Sequence, residues 1–358
     1  MHEILEVIKS GDIKCISKEV NTLDGKRSVP YFLLQERVAD TKEAITNAIK
    51  EVAFELVKNL TTEQKLNTVL LLGTAILDKN VINSVEDTTN EYDNNPEQFC
   101  KTSLDSYAQD TAKELGLNPF TMTIATACTS SINATLEARN LVNSGVCQRA
   151  VVVGAEFSLG MMSDGFVSMN LLSMSSQKPF DKSRDGLILG EAIAGVLLGA
   201  EESQWSLLGG YSNCNSQTIT AVSDSGDEFF EVMSKAMELS SVNAGDITTL
   251  KAHATSSLSN DLAEMNAISK IFDKNLDFTA IKPYVGHTLG ACGILEMAMM
   301  MACVDEGFVP KTLNSQESIS EEFIPLQEHK KCNEGVFMLN YFGFGGNNTS
   351  AIIQKELT

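Results

Sequence analysis

The sequence predicts an α/β protein built as two related halves, residues 1–202 and 203–358, each a sheet covered by helices. Three observations carry that reading. Short aliphatic and β-branched runs, of the kind buried parallel strands need, alternate with segments of helical period. The alternation runs once to about residue 202 and then starts again. No Pro-, Gly- or Ser-rich tract separates the two runs, so the halves are expected to pack as one unit, although no residue-level repeat accompanies the restart.

Residues 1–66 carry few signals apart from a helix over Thr41–Leu60, which places Ala44, Ile45, Ile49, Val52, Ala53, Leu56 and Val57 on one face. Thr68–Leu72 followed by Gly73, Thr74 and Ala75 reads as a buried parallel strand ending in a glycine turn. Residues 80–95 are polar and acidic, which predicts loop or exposed helix. Thr121–Thr126 is β-branched and suits a strand. After it, Ser130–Val142 spaces Ile132, Leu136 and Leu141 at helical intervals with one slip. Arg149–Gly154 and Ile193–Leu198 read as two further buried strands, with a Met- and Ser-rich stretch from Ser158 to Ser176 between them.

In the second half, Ser206–Tyr211, Thr248–Ala252 and Gly335–Tyr341 read as strands. Glu228–Leu239, Asp261–Phe272 and a long segment, Leu289–Val304, read as helices.

Composition narrows the function classes. The formal net charge is -20, from 47 acidic against 27 basic residues, which disfavours nucleic acid and anionic membranes as partners. Met1–Val20 has no apolar core of the signal-peptide kind, and the longest apolar runs, Val69–Leu77 and Ala192–Ala200, are too short to span a bilayer. The expectation is a soluble, cytoplasmic protein. Eight cysteines are scattered without a C-x-x-C pair, so they are expected to be thiols rather than zinc ligands or a redox motif.

One of these cysteines stands apart. Cys128 falls between a strand and a helix, where the positive end of the helix dipole favours thiolate, and Ala127, Thr129 and Ser130 leave an approach path to sulfur. On its own it reads first as a buried structural cysteine, and it is the stretches further along the chain that favour a nucleophile. Three other stretches put reactive or flexible groups at strand or helix ends. The first is Lys251-Ala252-His253-Ala254-Thr255-Ser256-Ser257, with Asp261 and Glu264 after it. The second runs from Lys282 through Gly286-His287 to Glu296 and includes Gly290-Ala291-Cys292-Gly293. The third is Gly343-Phe344-Gly345-Gly346-Asn347. Two of the four histidines thus sit in turns rich in small residues, where a functional role is favoured over core packing. A Cys/His/His zinc site is the sharper rival, but it lacks locally paired ligands.

Together these stretches resemble the β-ketoacyl-acyl-carrier-protein synthases of the elongating type, members of the thiolase-like superfamily. The order Cys128, His253, His287 and Gly343-Phe344-Gly345-Gly346 fits that family. So do the spacings to Asp261, Glu264 and Glu296, and the stretch Pro179–Gly186 with Gly190-Glu191. The resemblance covers roughly Thr121 to the C-terminus. It implies a thiolase-like fold with a layered α/β/α/β/α core, no cofactor and no metal, and decarboxylative Claisen condensation.

In that chemistry the resemblance makes Cys128 the nucleophile that takes an acyl group from a carrier thioester. The backbone N–H groups of Cys128 and Phe344 form the oxyanion hole, with Phe344 as a gate. His253 and His287 stabilise the enolate left when a malonyl thioester loses carbon dioxide. Lys282 supports them with Glu264 as its counter-charge, and Asp261 and Glu296 complete the set. The implied partners are an acyl carrier protein bearing acyl and malonyl groups, and a second subunit, identical or related, paired through the strand before Cys128.

The sequence departs from the family at several points. It lacks the Gly-rich opening strand, Ala254 stands where glycine is favoured, and Asn347 stands where threonine is usual. An acidic carrier would need a local basic patch, for which Arg139, Arg149, Lys178, Lys182 and Arg184 are the candidates. Cys128 with both histidines argues against a non-catalytic chain-length-factor subunit, His287 against the initiating type, and Phe344 against a thiolase with a second cysteine there.

Overall fold

The computed structural model describes residues 2–34, 38, 41–77, 103–158, 160–215 and 222–356; the expectation for residues 80–95 lies outside them. Helix α1 (His2–Ser10) buries Leu5 and Ile8, and β1 (Ile16–Thr22) pairs antiparallel with β2 (Gly25–Phe32). Helix α2 (Lys42–Val57) starts where the Thr41 side chain accepts from the Ala44 amide, an N-cap worth about 1 kcal/mol. Its Ile45, Ile49, Ala53 and Val57 are buried, as the predicted face requires, while Phe54 stays exposed.

Next come β3 (Thr68–Gly73), α3 (Asp105–Leu115), β4 (Thr121–Ile124), α4 (Ser130–Asn143), β5 (Arg149–Glu156), α5 (Gly160–Ser168), β6 (Leu189–Gly190) and β7 (Ala192–Gly199). Strand β6 adds in parallel to β2, beside the hairpin. The other strands make one sheet in the order β4-β3-β5-β7, parallel except for β7, which runs antiparallel to β5.

The chain continues through β8 (Trp205–Cys214), α6 (Asp227–Leu239), β9 (Ile247–Lys251), α7 (Leu258–Ile271), β10 (Phe278–Thr279), α8 (Cys292–Asp305), β11 (Phe308–Val309), β12 (Lys330–Lys331), β13 (Gly335–Phe342) and β14 (Asn347–Lys355). Here the sheet order is β10-β9-β13-β14-β8. Strands β9, β10 and β13 are parallel, and β14 is antiparallel to both of its neighbours.

Packing between these elements makes the layers. Helices α2 and α3 cover the outer face of the first sheet, α4 and α8 lie together between the sheets, and α6 and α7 cover the second sheet from outside. This is the five-layer α/β/α/β/α thiolase-like fold that the resemblance implied. The middle layer can be thin because Gly293 of α8 lies against α4, where a Cβ would come within 2.5 Å of the Ile132 amide nitrogen. The core between the sheets joins Ile132, Ala134 and Ala138 of α4 to Ile294, Met297 and Met300 of α8. Each fully buried aliphatic side chain there contributes about 1.5–3 kcal/mol.

Three departures from the sequence reading have physical causes. Strand β7 is half-exposed along most of its length rather than buried, because it is an edge strand with no partner on its outer side among the described residues. Helix α8 begins at Cys292 rather than Leu289, since Leu289 has φ 46° in the left-handed region and the chain turns as a short 3-10 segment over Leu289–Ala291. Strand β14, which the glycine-rich stretch concealed, is almost wholly buried and pairs along all of β13.

Candidate active site

The strands of both sheets deliver their C-terminal ends to one buried cluster. At the end of β4, Ala127 has φ 52°, a strained value for a residue with a side chain, and Cys128 lies in the 3-10 turn Ala127–Thr129 that feeds α4. The turn is pinned from below: the Ser130 hydroxyl donates to the Ala127 carbonyl and accepts from the Thr126 amide. At the end of β9 comes His253, followed by Ala254 at φ 51°. That backbone explains why glycine is favoured there, and alanine tolerates it at a cost of roughly 1–2 kcal/mol. His287 follows Gly286 and is held by its own amide, which donates to the Ile188 carbonyl at 2.7 Å.

Cys128 Sγ lies 3.0 Å from His287 Nε2, and the two imidazole rings meet edge to face with centroids 5.4 Å apart. His253 Nδ1 faces Lys282 Nζ at 3.2 Å, while its buried Nε2 has no hydrogen-bond partner among the described residues and points into the cluster. An ammonium can only donate, so His253 Nδ1 is the acceptor and the proton of the neutral ring sits on Nε2. His253, His287 and Cys128 are 1%, 2% and 5% exposed, so the reacting atoms are shielded from bulk water.

Backbone dipoles converge on the sulfur. The N–H groups of Phe344 and of Cys128 itself are directed at it and favour its charged form. The loop can come this close because residue 343 is glycine: a Cβ there would lie 3.2 Å from the Cys128 amide nitrogen. The ring of Phe344 is half-buried and stacks on Phe166, centroids 5.4 Å apart, an aromatic partner on α5 that sequence reasoning missed.

Electrostatics correct one expectation. Burial pushes the Cys128 thiol up to about 11, and nearby Lys282 and the two amides only partly offset it. The resting group is therefore a thiol beside His287, not the thiolate that a helix terminus alone would favour. Burial first, and then Lys282 and the other nearby cations, hold both histidines well below the ordinary imidazole range and so neutral.

The counter-charge assignment is also corrected. Glu296, not Glu264, pairs with Lys282, at 2.7 Å, and its other oxygen lies 2.5 Å from Lys251 Nζ. Glu264 instead accepts from the backbone amides of His253 and Ala254, at 2.8 and 2.9 Å, fixing the turn that carries the histidine. Asp261 lies one step further out, where it accepts from the amides of Phe180 and Ser256 and ties the 180 loop to the turn after His253. Burial raises its pKa to about 7. Sequence reasoning also missed Glu156, whose carboxylate accepts from the amides of Ala75, Ile76 and Gly290. Burial pushes it up to about 8. Its only sequence signal is a carboxylate closing an otherwise apolar strand.

One further expectation needs revision. The five basic residues form no patch. Arg184 is buried on the carbonyls of Asp181, Ser257 and Leu258, Arg139 donates to the Leu207 and Leu208 carbonyls, and Arg149 pairs with Glu201; Lys178 and Lys182 alone line a shared polar hollow, with Asp181 and Glu317. Cys292 is the small residue at a close contact that the sequence indicates, its thiol 3.1 Å from the Cys128 carbonyl.

Ligand atoms of Cys128, His253 and His287 all lie within 4.8 Å of one another, the separation that a metal site would need. The proton on His253 Nε2, fixed by Lys282 at Nδ1, occupies the lone pair a metal would require. The arrangement fits thiol and proton chemistry better than metal binding. Among the described residues no helix is long and apolar enough to cross a membrane.

Comparison with known proteins gives a consistent result. Residues 30–204 match the beta-ketoacyl synthase N-terminal domain and residues 206–316 the C-terminal domain. The 3-oxoacyl-[acyl-carrier-protein] synthase I of Arabidopsis thaliana chloroplasts is 30% identical over 66% of this chain. A putative mitochondrial 3-oxoacyl-[acyl-carrier-protein] synthase of Schizosaccharomyces pombe is 28% identical over 95% of this chain and 86% of its own. The chain spans only 54% of the length of the Arabidopsis relative.

Among solved structures, a beta-ketoacyl synthase from Burkholderia phymatum superposes with a TM-score of 0.85 at 22% identity, covering 99% of this chain and 95% of that one. A ketosynthase in complex with its chain length factor, from Xenorhabdus doucetiae, gives 0.82 at 21% identity, covering 99% and 92%.

Proposed function

Because the chain belongs to the β-ketoacyl synthase family, we propose that it is a condensing enzyme that loads an acyl group onto Cys128 and extends it by two carbons from a malonyl thioester. The observation that carries this reading is one buried cluster holding a thiol, two neutral imidazoles and two amides aimed at the sulfur. In loading, the Cys128 thiol passes its proton to His287 Nε2, and sulfur attacks the carrier thioester. The oxyanion forms against the N–H groups of Cys128 and Phe344. Collapse expels the carrier thiolate, which takes the proton back from His287.

In condensation, a malonyl thioester loses carbon dioxide and leaves an enolate. Its oxygen meets the N–H of His253 Nε2, held in that tautomer by Lys282, and the Nε2–H of His287, whose neutral ring first shifts its proton from the unpartnered Nδ1 to Nε2. The enolate carbon attacks the acyl-Cys128 carbonyl, the same two amides bear the second oxyanion, and the thiolate of Cys128 leaves and takes a proton from water, the one proton the condensation consumes. Phe344 acts as the movable wall over this space, Glu264 and Glu296 hold the histidine and the lysine, and Asp261 fixes the loop behind them. No step calls for a cofactor.

An acyl carrier protein is the partner that presents both thioesters; one solved relative is a ketosynthase in complex with a type II polyketide acyl carrier protein. A second subunit, identical or related, fits the outer edge of β4, where Met122 and Ile124 line a groove with Leu136 and Tyr211. Fatty acid, polyketide and aryl-polyene synthesis would all use this reaction. The division at residue 202 separates a nucleophile half from a histidine half. A cytoplasmic setting belongs to the same reading, since a thiol nucleophile needs a reducing compartment.

A chain-length-factor-like role is the second reading, favoured by the ketosynthase and chain length factor complexes among the structural relatives. Intact-mass spectrometry after exposure to a panel of acyl-carrier substrates separates the two: the condensing reading requires an acyl adduct on the Cys128 peptide. A protein that never acquires one belongs to the second reading.

A further inference from the structure

Lys251 has no part in the mechanism above, yet it is completely buried two residues before His253. Its Nζ lies 2.5 Å from Glu296 Oε2 and 2.7 Å from the Asn340 carbonyl, and sits 3.6 Å over the ring of Tyr341. Glu296 is therefore shared by two lysines, with Lys282 on Oε1. We propose that Lys251 is a positioning residue which, by occupying Oε2 of Glu296, leaves Lys282 free to turn one N–H onto His253 Nδ1 and so fixes the proton of His253 on Nε2, facing the substrate. This rests on the condensing reading and adds to it a residue that sets the donor.

The geometry supports each link. A carboxylate with both oxygens open draws an ammonium into a two-oxygen contact; one that has lost Oε2 holds Lys282 by Oε1 alone, and Lys282 Nζ also reaches His253 Nδ1. Lys251 is itself anchored from three sides, so its charge is a fixed feature and not a mobile one. The charged or titratable groups around His253 include Lys282, Lys251, Glu296, Glu264, His287 and Cys128. Lys251 is one of the cations among them that hold the imidazole neutral, and burial lowers its own pKa to about 8.

The test uses Lys251→Met, which keeps the length and removes the charge, and Lys251→Arg, which keeps the charge. Nitrogen-15 NMR of histidine-labelled protein reads the His253 tautomer without any substrate, and so remains informative even if the condensing reading fails. The wild type is expected to show the Nε2–H form, Lys251→Met a mixture with Nδ1–H, and Lys251→Arg a return towards the wild-type signal. Malonyl-carrier decarboxylation should fall roughly ten- to hundredfold in Lys251→Met and recover in Lys251→Arg, while acyl loading of Cys128 changes little. Lys251→Gln, which retains a donor for the Asn340 carbonyl, gives the same reading where the methionine variant folds poorly. An unchanged tautomer in the neutral variants, or equal loss of both half-reactions, overturns the proposal.

Discussion

The two sheets bring the same parts to the site and put different chemistry on them. In each, a strand leads through a 3-10 turn into a helix of the middle layer: β4 through Ala127–Thr129 into α4, and β10 through Leu289–Ala291 into α8. The first turn carries a thiol among backbone dipoles, with His287 Nε2 at 3.0 Å. The approach to the second carries Lys282 and His287, and the strand beside it ends in Lys251 and His253. Where His253 follows the end of β9, Thr74 and Ala75 follow the end of β3. A nucleophile needs amides where its oxyanion develops, whereas an enolate needs placed side-chain donors, and the molecule carries the thiol on one sheet and the imidazoles on the other, meeting at the contact between Cys128 and His287.

The largest expected effect breaks the first environment. Cys128→Ala should abolish acyl loading altogether while leaving the fold intact, because so small a side chain leaves little cavity. Mass spectrometry of the variant with an acyl carrier, alongside a thermal melt, checks both halves of the statement.

Next in size is the second environment. Glu296→Gln strands two buried lysines on a neutral amide, at a cost of about 3–5 kcal/mol, visible in denaturant unfolding. On the first sheet the matching change is smaller. Glu156→Gln keeps one acceptor oxygen for three amides and should cost about 1–3 kcal/mol. Equal losses in the two variants would erase the distinction between the sheets.

How much of this was legible in the sequence follows from the range of each interaction. The turns at Cys128, His253, His287 and Gly343 are local: small residues at strand ends mark them, and the structure brings all four together. The partner of Lys282 was not legible, since Glu264 and Glu296 are both carboxylates on helices and only packing decides which one reaches it. Lys251 carries no role legible in its neighbours for the same reason. Strand β14 was hidden behind the glycines that precede it, and the hairpin of β1 and β2 has too few buried side chains to announce itself. Strand β7 read as buried because its residues are apolar, but hydropathy does not tell a central strand from an edge. The second sheet ends differently, with β8 lying outside β14.

The smallest effect sharpens the picture of the thiol. With Cys128 held at about 11 mainly by burial, its thiolate fraction grows about tenfold per pH unit, and alkylation by iodoacetamide should climb from about pH 7 to about pH 10 without levelling. A plateau near neutral pH would mean that the helix terminus and the amides outweigh burial.

The separation of labour is tested most directly by measuring both half-reactions, acyl loading and carbon dioxide release from a malonyl carrier, in Cys128→Ala, His253→Ala and His287→Ala side by side. The account predicts a crossing: the cysteine variant cannot load but still decarboxylates, His253→Ala still loads and loses decarboxylation by about a hundredfold or more, and His287→Ala, which removes the acceptor of the thiol proton as well as an enolate donor, slows both. If all three variants lose both reactions in equal measure, the two environments do not act separately and the account is wrong.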